Sequence, residues 1–219
     1  MRLRPWLACV TALLLVALFV PVVAERQLAS RPTPEWIARL ERPERLAELK
    51  IDEILAKLQL QPGTVVADIG AGPGVFTMPL AKAVAPGGKV YAVEIDQQFL
   101  DHIKQKVEQQ HVTNAVLVLG KFTDPNLPAK DVDLAFFHDV LHHVEDRAGY
   151  LKSLAKYIKP SGRIAIVELD PVKGSHRDDP KLRLTKEQVA AWMADAGFTP
   201  ADEFNLFDDK WFVVYKRAS

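Results

Sequence analysis

The sequence predicts an α/β fold: a mostly parallel sheet of seven strands, with an antiparallel last strand, lying between two layers of helices. Three observations predict it. Residues 65–69 form a short apolar run of the kind that becomes a strand buried on both faces; it carries Asp68 near its end and breaks into Gly70, Gly72 and Gly74 before a helical pattern begins. Further apolar runs at 89–94, 115–119, 131–137 and 163–168 alternate with segments of helical spacing, as crossovers between parallel strands require. Residues 201–207 and 211–215 are two more strand-like runs, joined only by Asp208, Asp209 and Lys210, so the second must return antiparallel to the first. Together these describe a Rossmann-like three-layer sandwich.

With 219 residues and 48% hydrophobic content, the chain can bury one core of ordinary size. Its 28 basic residues balance 28 acidic ones, which excludes a general nucleic-acid binder. The first 24 residues stand apart. Arg2 and Arg4 precede a stretch without charge from Trp6 to Ala24, and Val22, Val23 and Ala24 offer a cleavage site. Residues 1–24 therefore predict a secretory signal peptide and export to the periplasm. The alternative is an uncleaved inner-membrane anchor, since the uncharged run nears the ~20 residues that span a bilayer. Cleavage after Ala24 would remove Cys9, the only cysteine, leaving a body without disulfides, thiol nucleophiles or thiolate metal sites.

Residues 25–35 read as a linker, with Pro32 and Pro34 set against a helix. The main domain, 36–219, opens with two amphipathic helices divided by Pro43, on which Trp36, Leu40, Leu46, Leu49, Ile54 and Leu58 fall at helical spacing. Residues 42–45 read as a solvated helix start, the alternative being a helix that reaches over the ligand edge of the sheet. Gln61, Pro62 and Gly63 close this segment and lead into the first strand.

The glycine turn is where open α/β sheets bind ligands. Glycine there allows positive φ and lets a ligand approach bare backbone. A dinucleotide-binding turn reads G-x-G-x-x-G, and Val75 stands where its third glycine would be; the Gly-Lys-Ser/Thr of a phosphate-binding loop is absent as well. A nicotinamide oxidoreductase is therefore disfavoured. Asp68, just before the turn, suits a ligand with a cationic end such as an ammonium. The second strand, 89–94, ends in Glu94, 20 residues after Gly74, the spacing at which a carboxylate in such folds bonds ribose hydroxyls.

These residues resemble the first motif and the following acidic motif of the class I S-adenosylmethionine-dependent methyltransferases. The resemblance extends over roughly residues 40–216 and takes in the fourth strand at 131–137 and the helix, turn and fifth strand at 154–168. It implies S-adenosylmethionine as cofactor and methyl transfer as the activity. It also implies Asp68, Gly70, Ala71, Gly72, Gly74, Glu94 and Ile95 as cofactor contacts. The acceptor is expected to be a small molecule, because no large recognition domain is appended. The alternative is a non-catalytic ligand-binding protein on the same scaffold, since the cofactor is made in the cytoplasm and the leader argues for export.

After the third strand, many members of that family carry an acid that accepts a bond from the adenine amino group. Here Lys121 cannot accept one, so Asp124 is expected to take the role and Phe122 to pack on the adenine. The fourth strand runs into residues 138–146, with three histidines and three acids. The resemblance makes His138 and Asp139 contacts of the methionine part. His142 and His143 are the expected catalytic residues, either serving as general base toward an acceptor hydroxyl or amine. As neighbours they are expected to point apart, so no metal site is expected. Glu168 and Asp170 end the fifth strand at the ligand edge, and residues 172–184 read as a lid in which His176 and Arg177 touch substrate. Thr185 and Gln188 form a capping box for a helix that stops at Gly197.

Overall fold

The computed structural model describes residues 33–218. The leader reading of residues 1–24 and most of the expected linker lie outside the described residues. Among the described residues no helix is long and apolar enough to cross a membrane.

Three short helices come first: α1 (Thr33–Leu40), α2 (Pro43–Glu48) and α3 (Ile51–Leu58). Sequence reading expected a linker as far as residue 35 and then two helices. Pro34 sits in the first turn of α1, where it has no hydrogen-bonded N–H to lose, so it starts a helix instead of preventing one. The additional break falls at Lys50, whose φ of 50° turns the chain between α2 and α3.

The alternating part follows: β1 (Val65–Ile69), α4 (Thr77–Ala83), β2 (Lys89–Glu94), α5 (Gln97–Gln109), β3 (Ala115–Leu119), β4 (Val132–His138), α6 (Arg147–Ala155) and β5 (Ile158–Leu169). It ends in α7 (Lys186–Asp195), β6 (Phe198–Phe204) and β7 (Lys210–Arg217). The sheet order is β3-β2-β1-β4-β5-β7-β6. The first five strands are parallel, and β7 inserts antiparallel between β5 and β6. The predicted α/β sandwich, seven-stranded and mostly parallel, is thus the fold observed. One local difference is in β5. Residues 159–162, expected as a turn, are a bulge within the strand, where pairing jumps from Val132–Ile158 to Leu134–Arg163.

The central strands alternate their side chains between two apolar layers. Val65, Ala67 and Ile69 pack with Leu151 and Leu154 of α6 and with Val189 and Met193 of α7. Val66 packs on the other side with Ile54, Leu58 and Leu80. Burying one such aliphatic side chain is worth about 1.5–3 kcal/mol. Thr185 accepts from the N–H of Gln188, and the Gln188 side chain accepts from the N–H of Thr185, so the predicted capping box starts α7. From β1 the chain winds outward to β2 and β3, then returns to β4 on the other side of β1. The strand order reverses there, and a crevice opens at the carboxyl ends of β1 and β4. Gly70 lets the two loops meet: its φ is +67°, and a Cβ on it would lie 2.5 Å from a γ-methyl of Val140.

Candidate functional site

The crevice is built from two acids and a bare turn. Asp68 is buried on the face of β1 that looks toward α4, and the Thr77 hydroxyl donates to it at 2.6 Å. Burial pushes its carboxyl up to about 7, the Thr77 bond opposes this and the nearby Glu94 adds to it. Glu94 ends β2. One of its oxygens accepts from Gly72 N at 2.9 Å, and the other from Ile95 N at 2.7 Å. Burial raises its carboxyl above the usual range, and these backbone donors hold it back. Ala71 is buried and donates to Val93 O, fixing the turn to the end of β2. Gly74 has a φ of +77° and faces Ile103 of α5.

The N-terminal helices cover this turn. The Thr33 hydroxyl donates to Asp96 at 2.6 Å, and Glu41 accepts from Lys106 at 2.6 Å while meeting His102 at 3.1 Å. A Cβ on Gly72 would find only Leu40 Cδ1, at 3.7 Å. Arg45, read from sequence as part of a solvated helix start, is half-buried and close enough to Asp139 to feel its charge. Arg42, Pro43 and Glu44 are exposed, as a solvated helix start would be, and Arg45 alone turns inward, donating to Leu40 O at 2.9 Å.

At the end of β4, His138 is buried against Phe76, with ring centroids 4.7 Å apart, and burial lowers its imidazolium to about 4. It is neutral near pH 7. Asp139 has a φ of 55°, and both its oxygens accept from Lys210 Nζ at 2.8 Å. Burial raises the Asp139 carboxyl, but His138 and Lys210 outweigh it and hold the group below its ordinary range. Lys210 was expected in a hairpin turn. It instead begins β7 beside β5, which carries it to this edge.

Beyond Asp139 the chain makes a single 3₁₀ turn, Leu141–His143. The expectation that His142 and His143 point apart is wrong. Neighbours diverge on a strand, whereas in this turn the two ring centroids are 4.0 Å apart. His176 joins them from the loop after β5, its centroid 5.0 Å from that of His142. The three imidazoles present ligand nitrogens that all lie within 4.8 Å of one another. Glu168, fully buried, meets Nδ1 of His142 at 2.8 and 3.0 Å and also accepts from Leu169 N at 3.0 Å. The opposite nitrogen of His142, Nε2, is buried without a hydrogen-bond partner among the described residues. Burial first, and then the two neighbouring imidazoles, lower His143 to about 3. The loop that carries His176 is tied down by Arg147, which donates to the carbonyls of His142 and Lys181 at 2.7 Å each.

Two expected contacts are placed differently. Asp124 accepts from Ser153, from Tyr157 at 2.9 Å and from Asn126 N at 2.6 Å, so its carboxylate anchors α6 to the loop after β3. Oδ1 is filled by Tyr157 and Asn126, and Oδ2 keeps one lone pair beyond its bond from Ser153. Phe122 is half-exposed in the same loop. Asp170 caps the turn after β5 through Val172 N and Lys173 N, at 2.9 Å each. Sequence reading gave Glu168 no role of its own and did not connect His176 with His142, since no spacing links residues 34 apart.

Residues 67–166, from β1 to β5, match a family described as a methyltransferase domain. The demethylmenaquinone methyltransferase of Geobacillus sp. (strain WCH70) is 26% identical over 117 residues, covering 53% of this chain and 50% of the relative. The trans-aconitate 2-methyltransferase of Azoarcus sp. (strain BH72) is 29% identical over 142 residues, 65% of this chain and 51% of the relative. The chain thus spans about half the length of these curated relatives. A crystal structure of a SAM-dependent methyltransferase from Aquifex aeolicus superposes with a TM-score of 0.76 at 23% identity, covering 84% of this chain and 98% of that one. The fold is that of this structure, and residues 67–166 within it match the methyltransferase domain family.

Proposed function

We propose that this protein transfers a methyl group from S-adenosylmethionine to a small-molecule acceptor. One observation carries the reading: Glu94 reaches from the end of β2 to the Gly72 N–H, opposite buried Asp68, so two acids converge on a bare glycine turn at the switch point of the sheet. The residues present fit the cofactor. Asp68, held near half-ionised by burial, gains from an ammonium group beside it. Oε2 of Glu94, which accepts only from Gly72 N, keeps lone-pair capacity for a ribose hydroxyl, while Oε1 accepts from Ile95 N and, at 3.5 Å, from Asp96 N. Ala71 and Ile95 flank that carboxylate, and Phe122 offers an exposed ring beyond it. When bound, S-adenosylmethionine supplies an electrophilic methyl group on a sulfonium sulfur.

The chain's own contribution is to hold the acceptor, exclude water and take its proton. Leu40, beside Gly72, stands at one side of the crevice, and the loop pinned by Arg147 stands at the other. The histidine cluster is the acceptor side. Glu168 on Nδ1 orients the His142 ring, leaving the lone pair of Nε2 to receive a proton from a hydroxyl or amine. His143, a neutral imidazole beside it, is the weaker candidate for the same proton, because its imidazolium is lowered to about 3. The composition of residues 1–24 supports placing this activity at or beyond the inner membrane.

Calorimetric titration of the full chain with S-adenosylmethionine, and with its demethylated product, tests the reading. Micromolar binding of either is expected. Glu94→Ala should weaken it by about tenfold or more, since a hydrogen bond to a charged group contributes about 1.5–3 kcal/mol. A folded protein that binds neither molecule would turn the reading toward a non-catalytic scaffold.

A further inference from the structure

We infer that His142, His143 and His176 form a binding site for one divalent cation of the zinc class, with an open position facing the acceptor side of the crevice. Three features converge on it. The three imidazoles come from two separate segments, the 3₁₀ turn after β4 and the loop after β5, and their ligand nitrogens lie within 4.8 Å of one another. His142 Nε2 is buried and has no hydrogen-bond partner among the described residues, an arrangement that is costly unless something occupies the lone pair. Glu168 holds the other ring nitrogen at 2.8 Å, the carboxylate–histidine pairing that fixes tautomer and ring direction in metal sites.

The donor set selects the ion. Neutral imidazoles suit zinc, iron, copper or nickel, whereas magnesium and calcium prefer oxygen ligands. Three histidines with a fourth position left open is an arrangement of catalytic zinc. Zinc–nitrogen bonds of about 2.0–2.1 Å place ligand nitrogens roughly 3.3 Å apart in a tetrahedral site. Small side-chain rotations of His143 and His176, both partly exposed, would bring the cluster to that spacing around a fixed His142. His138 takes no part: it is packed against Phe76, with Phe207 beyond.

Binding of the ion stands on this geometry alone. Its chemical consequence rests on the methyl-transfer reading. With the cation bound, Nε2 of His142 becomes a ligand and no longer accepts a proton. A hydroxyl that coordinates the open position then ionises more readily and releases its proton to solvent. The cluster would thereby activate an oxygen acceptor that a lone imidazole activates poorly.

The test is spectroscopic. The full-length protein, purified in the presence of a chelator and then freed of it, is titrated with Co²⁺ and followed by visible absorption, then displaced with Zn²⁺. One equivalent of Co²⁺ with the intense bands of four- or five-coordinate geometry is expected. His176→Ala, on a loop outside the core, should abolish the bands while circular dichroism stays unchanged, and Glu168→Gln should weaken affinity about 10–100-fold. Failure of the folded wild type to bind stoichiometrically, or equal binding by His176→Ala, would overturn the inference. Parallel titration with S-adenosylmethionine separates the two readings. Metal binding without cofactor binding keeps this site and removes the methyl-transfer role; cofactor binding without metal does the reverse.

Discussion

At the scale of single residues, Asp68 has the most informative environment in the molecule. A carboxyl with an ordinary value near 3.8 is lifted to about 7 by burial, with Glu94 adding to the effect. The folded state therefore holds a proton that the unfolded chain releases. Asp68 contributes stability that is fully present below about pH 4 and is lost as pH rises through about 7. Cofactor binding should run the other way, because the ionised form is the one that pairs with an ammonium. Affinity for S-adenosylmethionine should rise about tenfold between about pH 5.5 and 7 and then level off, as the ionised fraction grows. Asp68→Asn should flatten that rise, leaving only what Glu94 adds in the same direction. Calorimetry at several pH values reads it directly, and a rise of the same size in Asp68→Asn would show that the ammonium is held elsewhere. Asp68 and Glu94 were legible in sequence because each is an acid ending a buried apolar strand. Asp124 was harder to read: its position after β3 suggests the adenine, but its anchoring partners, Ser153 on α6, Tyr157 between α6 and β5 and Asn126 in its own loop, cannot be seen from spacing.

At the scale of elements, the turn after β1 and the loop after β4 are one structural unit, joined where Gly70 meets Val140. Gly70→Ala carries two separable costs. A φ of +67° disfavours any side chain by about 1–2 kcal/mol, and a Cβ 2.5 Å from a methyl adds about 1–3 kcal/mol of overpacking. In a Val140→Ala background only the Cβ at 3.1 Å remains, so the second cost should largely fall away and Gly70→Ala there should lose little beyond the backbone share. Urea denaturation of the four proteins completes the cycle. An identical loss in both backgrounds would show that the Val140 contact yields freely. Strands and long helices were legible at this scale: β2, α5 and β3 fall within the residues that periodicity marks. The break between α2 and α3 was not, because Lys50 takes a left-handed φ that nothing in its local sequence requires. The β5 bulge was hidden in the same way, since Pro160 and Gly162 read as a turn until the pairing with β4 is known.

At the scale of the whole molecule, the site is assembled from both ends of the domain. α1 comes from its start, Glu94 and the glycine turn from the first half, His142 and Glu168 from the second, and Lys210 from the last strand. Sequence spacing reports contacts within an element and its neighbours, so the acids at strand ends were readable and the meeting of His142 with His176 was not. The cover over the glycine turn is a long-range feature of the same kind. Glu41, at the end of α1, accepts from Lys106 and meets His102 on α5, and Lys106 also donates to Pro73 O at 3.0 Å. Burial raises the Glu41 carboxyl, but Lys106 and His102 outweigh it and bring it below its ordinary value. This clasp is partly exposed, so its share of global stability is small, about 0–1 kcal/mol. Its effect should be local. Glu41→Gln removes the charge that draws Lys106 and His102 toward α1 while leaving the sheet and both core layers untouched. Urea midpoints should hardly move, whereas amide exchange in residues 33–40 should accelerate and S-adenosylmethionine should dissociate several-fold faster. A variant that unfolds early would mean that α1 is part of the core, and one with unchanged exchange and release would mean that Thr33 and Leu40 hold the cover alone. The expected pattern, slow global unfolding with fast release, is that of a lid whose opening is governed by one ion pair on α5.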